Sequence, residues 1–150
     1  MSHTHTTLLY HCVFTTKNQR NSISRDVRGR LFPYLRGIVR NIGGSLPAVG
    51  GTANHVHMLL GLPPTLCVSD AMRLVKTNSS KWIRETFPTH GMFGWQTGYA
   101  AFTVSGSVAA RVKQYIEGQE EHHGIRSFED EIAAMAKRHG IALHGVHVTK

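Results

Sequence analysis

Asn54-His55-Val56-His57-Met58-Leu59-Leu60-Gly61-Leu62 alternates with the period of a β-strand. Val56, Met58, Leu60 and Leu62 share one face; His55, His57, Leu59 and Gly61 share the other. Pro63-Pro64 ends the run. The first face reads as core, and the second carries two imidazoles that point the same way.

Working outward, residues 45–51 predict a short strand. Its Pro47 cannot donate to a ladder, so that strand belongs at a sheet edge. Residues 8–16 also alternate, with Leu8, Tyr10, Cys12 and Phe14 on one face and Leu9, His11, Val13 and Thr15 on the other. A polar, basic loop containing Lys17 and Arg20 follows. From Ser24, a candidate N-cap, the period becomes helical through Val27, Leu31, Leu35, Ile38 and Ile42, and Gly43-Gly44 ends that helix. Pro33 in its interior predicts a kink or a break near Phe32.

Ser69 is the predicted cap of a second helix running to about Phe87, with Met72, Val75 and Trp82 inward. Arg73, Lys76, Lys81 and Arg84 are then left for the outside. Residues 88–94 read as a loop and Gln96 to Val104 as a further strand. A third helix should start at Ser105 or Ser107 and run to about His122, and residues 127–139 predict a fourth.

Strand, helix, strand, strand, helix, strand is the split βαβ order. The expected fold class is therefore α+β, a ferredoxin-like or RRM-like sandwich with a four-stranded antiparallel sheet. The first and third strands should be central. Two helices should cover one face, while an extra C-terminal helix bearing Tyr115 packs on the face from which His55 and His57 project. The length of 150 residues suits one domain spanning 1–150, with residues 1–6 expected to fray and the C-terminal helices in 105–150.

Hydrophobic content of 41% and charged content of 17% place the chain among globular proteins rather than disordered ones. No apolar stretch approaches the roughly 20 residues of a membrane span. Cys12 and Cys67 form no Cys-x-x-Cys pair and follow no apolar leader, which predicts a reducing, cytoplasmic setting. The net charge is +8 and uneven: residues 1–113 hold 13 Lys and Arg against 3 acids, and residues 114–150 hold 4 against 6. A basic body suits a phosphate-rich partner, and Lys17, Arg20, Arg73, Lys76, Lys81 and Arg84 are candidate DNA-phosphate contacts. An ordinary solvated helix surface would look the same for the last four.

Tyr115-Ile116-Glu117-Gly118-Gln119 is the second stretch with chemical content. On a helix, Tyr115 and Gln119 sit one above the other. If they meet His55 and His57, two imidazoles and a carboxamide oxygen offer three ligands to a divalent ion. Positions then stay open for a phosphate oxygen, with a phenol alongside. Taken alone, His-x-His on a strand is more often structural, and a helix tyrosine is more often a core-edge aromatic with a wet hydroxyl. Tyr10, Tyr34 and Tyr99 are poorer nucleophile candidates, since Tyr10 points with the apolar face, Tyr34 rides the first helix and Tyr99 has no nearby ligand type. Trp82 reads as core, Trp95 as stacking on a base or packing on the sheet, and His122 and His123 as capping groups or groups near the metal or DNA.

Taken together, Tyr10-His11-Cys12-Val13-Phe14 leading to Lys17, Asn54 to Leu60, Trp95-Gln96-x-Gly98-Tyr99, Val112-x-x-Tyr115-Ile116-x-x-Gln119-x-x-His122-His123 and Ser127-Phe128-x-x-Glu131 resemble the single-tyrosine HUH transposases. These are the small enzymes of bacterial insertion sequences, with relatives associated with repeated extragenic palindromes. The likeness runs from about Leu8 to Ile141 and is weakest at residues 44–51, a poor strand in which Gly and Pro recur.

The resemblance implies cutting and rejoining of single-stranded DNA near a hairpin through a 5′-phosphotyrosine, with Mg²⁺ or Mn²⁺ as cofactor and a homodimer as the working unit. Tyr115 would be the nucleophile, and His55, His57 and Gln119 the metal ligands. No nucleotide cofactor is expected, because the covalent intermediate conserves the broken bond and the chain has no Walker-type loop. Two other classes fit the same topology: a single-stranded nucleic-acid-binding module, and a metal-dependent phosphodiesterase that uses water.

Overall fold

The histidine stretch is a central strand. The computed structural model describes residues 3–119 and 127–142. Its four strands are β1 (Leu9–Thr15), β2 (Ser45–Gly51), β3 (His55–Gly61) and β4 (Ala100–Val104), in the spatial order β2-β3-β1-β4. All three pairings are antiparallel, and β1 and β3 are central as the split βαβ order requires. Val13 lies opposite His57 and Thr15 opposite His55, so β1 and β3 present matched faces. Pro47 falls on the edge strand, where the register shifts between Ser45 and Ala48.

Helices α1 (Arg25–Asn41) and α2 (Val68–Thr86) cover one face. The main core gathers Leu31, Leu35 and Val39 of α1 and Met72, Val75 and Ile83 of α2 against Cys12, Phe14, Val56, Met58 and Leu60 of the sheet. The other face carries α3 (Ala109–Glu117) and α4 (Phe128–Arg138). Ile116 of α3 packs with Ala48 and Leu59, and Met135 and Ala136 of α4 pack with Val13 and Phe102. The alternation of β3 thus sorts its residues as expected: Val56, Met58 and Leu60 on one side, His55, His57 and Leu59 on the other.

Four local expectations are corrected. α1 runs unbroken through Pro33, so the break near Phe32 is absent: the buried residues on both sides of the proline hold the helix against the sheet and outweigh one missing hydrogen bond. The N-cap of α2 is Cys67 rather than Ser69, which lies inside the first turn. The last strand begins at Ala100 rather than Gln96, since Gly98 adopts φ +91° and Trp95 makes only an isolated bridge to Thr16. The third helix is preceded by a 3₁₀ turn at Gly106–Val108 and ends at Glu117. Gly118, a poor helix former, caps it by donating its N–H to the Gln114 carbonyl. The predicted extension to His122, and the His122–His123 pair itself, lie outside the described residues.

The Gly-rich strand at 45–51 has a packing reason. A Cβ at Gly50 would collide with the backbone carbonyl of Ile116, so α3 rests directly on the bare backbone of β2. Gly50→Ala is expected to push α3 off the sheet and to cost about 1–3 kcal/mol, read as a lowered thermal midpoint. The same substitution at Gly29, with nothing within 4 Å, supplies the control.

Candidate functional site

Between α3 and α4, the second sheet face holds a cluster that the hydrophobic pattern alone does not explain. His11, His55, His57, Gln119 and Glu131 are all buried there. Burying this many polar groups is costly unless each finds a partner, and here they face one another. His57 Nε2 lies 3.0 Å from Glu131 Oε1, and His57 Nδ1 lies 2.7 Å from His11 Nε2. His55 Nε2 lies 3.4 Å from Gln119 Oε1. The Gln119 amide nitrogen donates back to the Tyr115 carbonyl at 3.3 Å, which fixes the direction of its oxygen.

Strand and helix geometry deliver each group. His55 and His57 are two apart on β3 and share a face. His11 sits opposite Leu59 on β1, diagonally across from His57, so it belongs to the same face. Glu131 stands in the first turn of α4, whose N-cap Ser127 accepts from the Asp130 amide. Phe128 packs its ring against His55 at 4.7 Å. Gln119 comes just after the Gly118 cap, so the i, i+4 relation to Tyr115 survives although α3 has ended.

Asn54 Oδ1 lies 2.7 Å from His55 Nδ1. An oxygen acceptor there holds the ring proton on Nδ1 and aims the Nε2 lone pair at the Gln119 oxygen. Lone pairs facing across 3.4 Å suit a shared cation. His55, His57 and Glu131 offer ligand atoms that all lie within 4.8 Å of one another. Two imidazoles, a carboxylate and a carboxamide oxygen form a donor set that fits a divalent ion such as Mg²⁺ or Mn²⁺.

Tyr115 is half-buried at the rim of this cluster, its ring 5.9 Å from those of both His11 and His57. Burial, a hydrogen bond with Glu131 and the charge of that carboxylate push its phenol above the ordinary range, and a hydrogen bond from Gln119 works against them. Burial, followed by the neighbouring His57, lowers the His11 pKa to about 3 and keeps that ring neutral. The other tyrosines are elsewhere. Tyr10 packs against the main core, Tyr34 stacks on Trp82 at 4.4 Å, and Tyr99 is exposed. A cavity of about 290 Å³ opens beside Tyr115 and His11, flanked by Arg111 of α3 and Arg138 of α4.

The basic candidates divide. Lys17 and Arg20 are exposed on the loop after β1, whose backbone is tied to Asn54 beside His55 through the Thr16 amide. Arg73, Lys76, Lys81 and Arg84 ride α2 on the opposite face of the sheet. Lys76 donates to the carbonyls of Gln96 and Gly98, Arg84 to that of Phe93, and Arg73 pairs loosely with Asp70. Trp95 packs edge-on against Phe14 at 4.7 Å and donates to Ser79, which settles its role as packing. Glu131 and His11 are residues of the cluster that sequence reasoning left without a role. The signal for His11 was its shared alternation with His55 and His57; for Glu131 it was only a carboxylate early in a capped helix.

Comparison with known proteins shows the family. Residues 4–119 match the family model described as transposase, IS200-like. The chain is 30% identical over 126 residues to the transposase of insertion sequence element IS200 from Salmonella typhimurium, covering 81% of this chain and 82% of the relative. It is 26% identical over 119 residues to the ISDra2 transposase TnpA of Deinococcus radiodurans, covering 76% and 85%. A solved transposase structure from Deinococcus radiodurans R1 superposes with a TM-score of 0.63 at 29% identity, covering 79% of this chain and 98% of that one. A REP-associated tyrosine transposase bound to a REP hairpin shares the fold, with a TM-score of 0.60 at 15% identity over 89% and 86% of the two chains. With the family model spanning most of its length and the sheet, helices and relatives in agreement, this chain belongs to the IS200-like transposase family and is a DNA transposase.

Proposed function

We propose that the transposase cuts and rejoins single-stranded DNA with Tyr115 as nucleophile, assisted by Mg²⁺ or Mn²⁺ held by His55, His57, Glu131 and Gln119. One observation carries the reading: three ligating side chains converge within 4.8 Å, and the phenol of Tyr115 is hydrogen-bonded to one of them, Glu131. The bound ion would polarise a phosphate oxygen and offset its developing charge.

His55 and His57 present ring nitrogens from a rigid central strand, so the ligand geometry is set before DNA arrives. Packing of α3 on Gly50 and Leu59 holds the Tyr115 ring near them, which supplies the positioning that a weak nucleophile needs. Tyr115 Oη bonds to phosphorus as the bond from phosphorus to the 3′ oxygen breaks. Glu131 would take up the phenol proton and pass it to the departing 3′ oxygen, so that the released strand ends in a 3′ hydroxyl and the carboxylate is restored. One phosphodiester replaces another, so rejoining runs the same step backwards without a nucleotide cofactor.

The substrate is read as a single strand flanked by a hairpin; the REP-associated tyrosine transposase that shares this fold is bound to a REP hairpin. Lys17 and Arg20, exposed on the loop whose backbone is bonded to Asn54, are assigned to phosphates of the strand entering the site. Arg73 and Lys81 lie on the far face and are assigned to a hairpin stem, while Lys76 and Arg84 act by holding residues 93–98. Lys17→Gln and Arg20→Gln should each reduce the salt-dependence slope of single-strand binding by about 1. Arg73→Gln and Lys81→Gln should do so only when a stem is present. We assign a homodimer as the working unit; within one chain, Tyr115 is already close enough to serve its own histidines.

Incubation with a labelled hairpin-bearing single strand and Mn²⁺ tests the reading. A covalent protein–DNA adduct is expected. Cleavage without an adduct would mean hydrolysis by water, and retention without cleavage a binding module.

A further inference from the structure

We infer that His11 is a positioning residue for His57: its Nε2 accepts the Nδ1 proton of His57 and thereby frees the His57 Nε2 lone pair to ligate. The inference rests on the metal-site reading above and adds to it the acceptor that sets where the His57 proton sits.

The argument starts from proton count. A neutral imidazole carries one N–H, so a ring that ligates through one nitrogen must keep its proton on the other. The nitrogen of His57 facing Glu131, and hence the cation site, is Nε2. Its proton must then sit on Nδ1, and the atom 2.7 Å from Nδ1 is Nε2 of His11. Both rings are buried in the sheet face, where an N–H without an acceptor is costly.

The two ligand histidines differ in a way that gives His11 a specific consequence. His55 has an oxygen, Asn54 Oδ1, at its Nδ1, and an amide oxygen only accepts, so its tautomer is fixed. His57 has another imidazole, which can accept or donate. When His11 donates from Nε2, the His57 proton is forced onto its own Nε2 and points at Glu131 across 3.0 Å, an arrangement closed to metal. When His11 carries its proton on Nδ1, its Nε2 accepts and the His57 site opens. The pair therefore has a closed and an open proton arrangement, and an ion selects the open one.

The test uses the full-length, metal-stripped protein. Mn²⁺ is titrated in and free Mn²⁺ is read by electron paramagnetic resonance for wild type, His11→Leu and His11→Gln. The Leu variant keeps bulk but removes the acceptor, and the Gln variant restores an oxygen. His11→Leu is expected to bind Mn²⁺ about 10–100-fold more weakly, with His11→Gln recovering most of the loss. Nitrogen-15 spectra of the wild-type histidines supply a readout that needs no variant to fold: adding Zn²⁺ should leave the His57 proton on Nδ1. Unchanged affinity in folded His11→Leu, no rescue by His11→Gln, or a His57 proton on Nε2 with Zn²⁺ bound each overturns this inference alone. A wild type that binds no divalent ion overturns the metal site and this inference together.

Discussion

Tyr115→Phe is expected to abolish the covalent protein–DNA adduct and to lower strand cleavage by more than about 10³-fold, because the atom removed is the one that attacks. The ring remains, and with it the packing against Val112 and Leu59 and the edge contacts to His11 and His57. What the fold loses is the phenol hydrogen bond to Glu131, worth on the order of 1–3 kcal/mol when the acceptor is charged. The variant should therefore fold, melt a few degrees lower, and bind hairpin DNA with near-wild-type affinity. Cleavage that persists in Tyr115→Phe would assign the attack to water and leave the tyrosine structural. No other tyrosine can substitute, since Tyr10, Tyr34 and Tyr99 all lie away from the histidine cluster.

The second large effect belongs to His57. This ring sits at the centre of the cluster, within 3.0 Å of Glu131 on one side and 2.7 Å of His11 on the other. His57→Ala removes a ligand and is expected to lower Mn²⁺ affinity by at least about 100-fold. It also strips the buried Glu131 carboxyl of one of its partners, with the Tyr115 hydrogen bond left in place, a change that costs up to about 3–5 kcal/mol when a buried charged group loses its pair. Glu131→Gln separates the two effects. The amide keeps the shape and can accept from or donate to its neighbours, so stability should fall less than in His57→Ala, while loss of the negative charge should still weaken Mn²⁺ binding by about 10–100-fold. Isothermal titration with Mn²⁺ alongside thermal unfolding distinguishes them. Equal Mn²⁺ affinity in wild type and Glu131→Gln would remove Glu131 from the ligand set and restore the smaller set of His55, His57 and Gln119.

The sheet was legible because strand period is a local property. Val56, Met58 and Leu60 against His55, His57 and Leu59 need only the pleat of one strand to separate them, and the order of elements then leaves few topologies. Positions set by tertiary contact were not legible. Gly50 looked like a defect in a poor strand, and its reason is the carbonyl of Ile116, 66 residues downstream on a different layer. Ser69 was a reasonable cap by type, but the turn after Pro63-Pro64 delivers Cys67 there instead. Gln96 to Gly98 reads like strand, but Gly98 takes a positive φ and the carbonyls of Gln96 and Gly98 accept from the Lys76 ammonium rather than from a neighbouring strand.

The candidate site divides in the same way. His55, His57, Tyr115 and Gln119 stood out because their spacing within single elements places them on shared faces. Glu131 was visible only as part of the Ser127-Phe128-x-x-Glu131 stretch and without a role, because nothing local distinguishes a buried acid in the first turn of a helix from a solvated one. Its burial follows only from the docking of α4 over Val13 and Phe102. His11 was visible as a polar residue on the histidine face of β1, but its proximity to His57 depends on the register between two strands, which sequence alone does not give.

Peptide-mapping mass spectrometry of wild-type protein trapped with a hairpin-bearing single strand and Mn²⁺ tests the central claim most directly. The account predicts a 5′-phosphonucleotide on the Oη of Tyr115, absent when Mn²⁺ is chelated and absent in His57→Ala. A phosphonucleotide on any other residue, or an adduct on Tyr115 that forms equally well without a divalent ion, would contradict it.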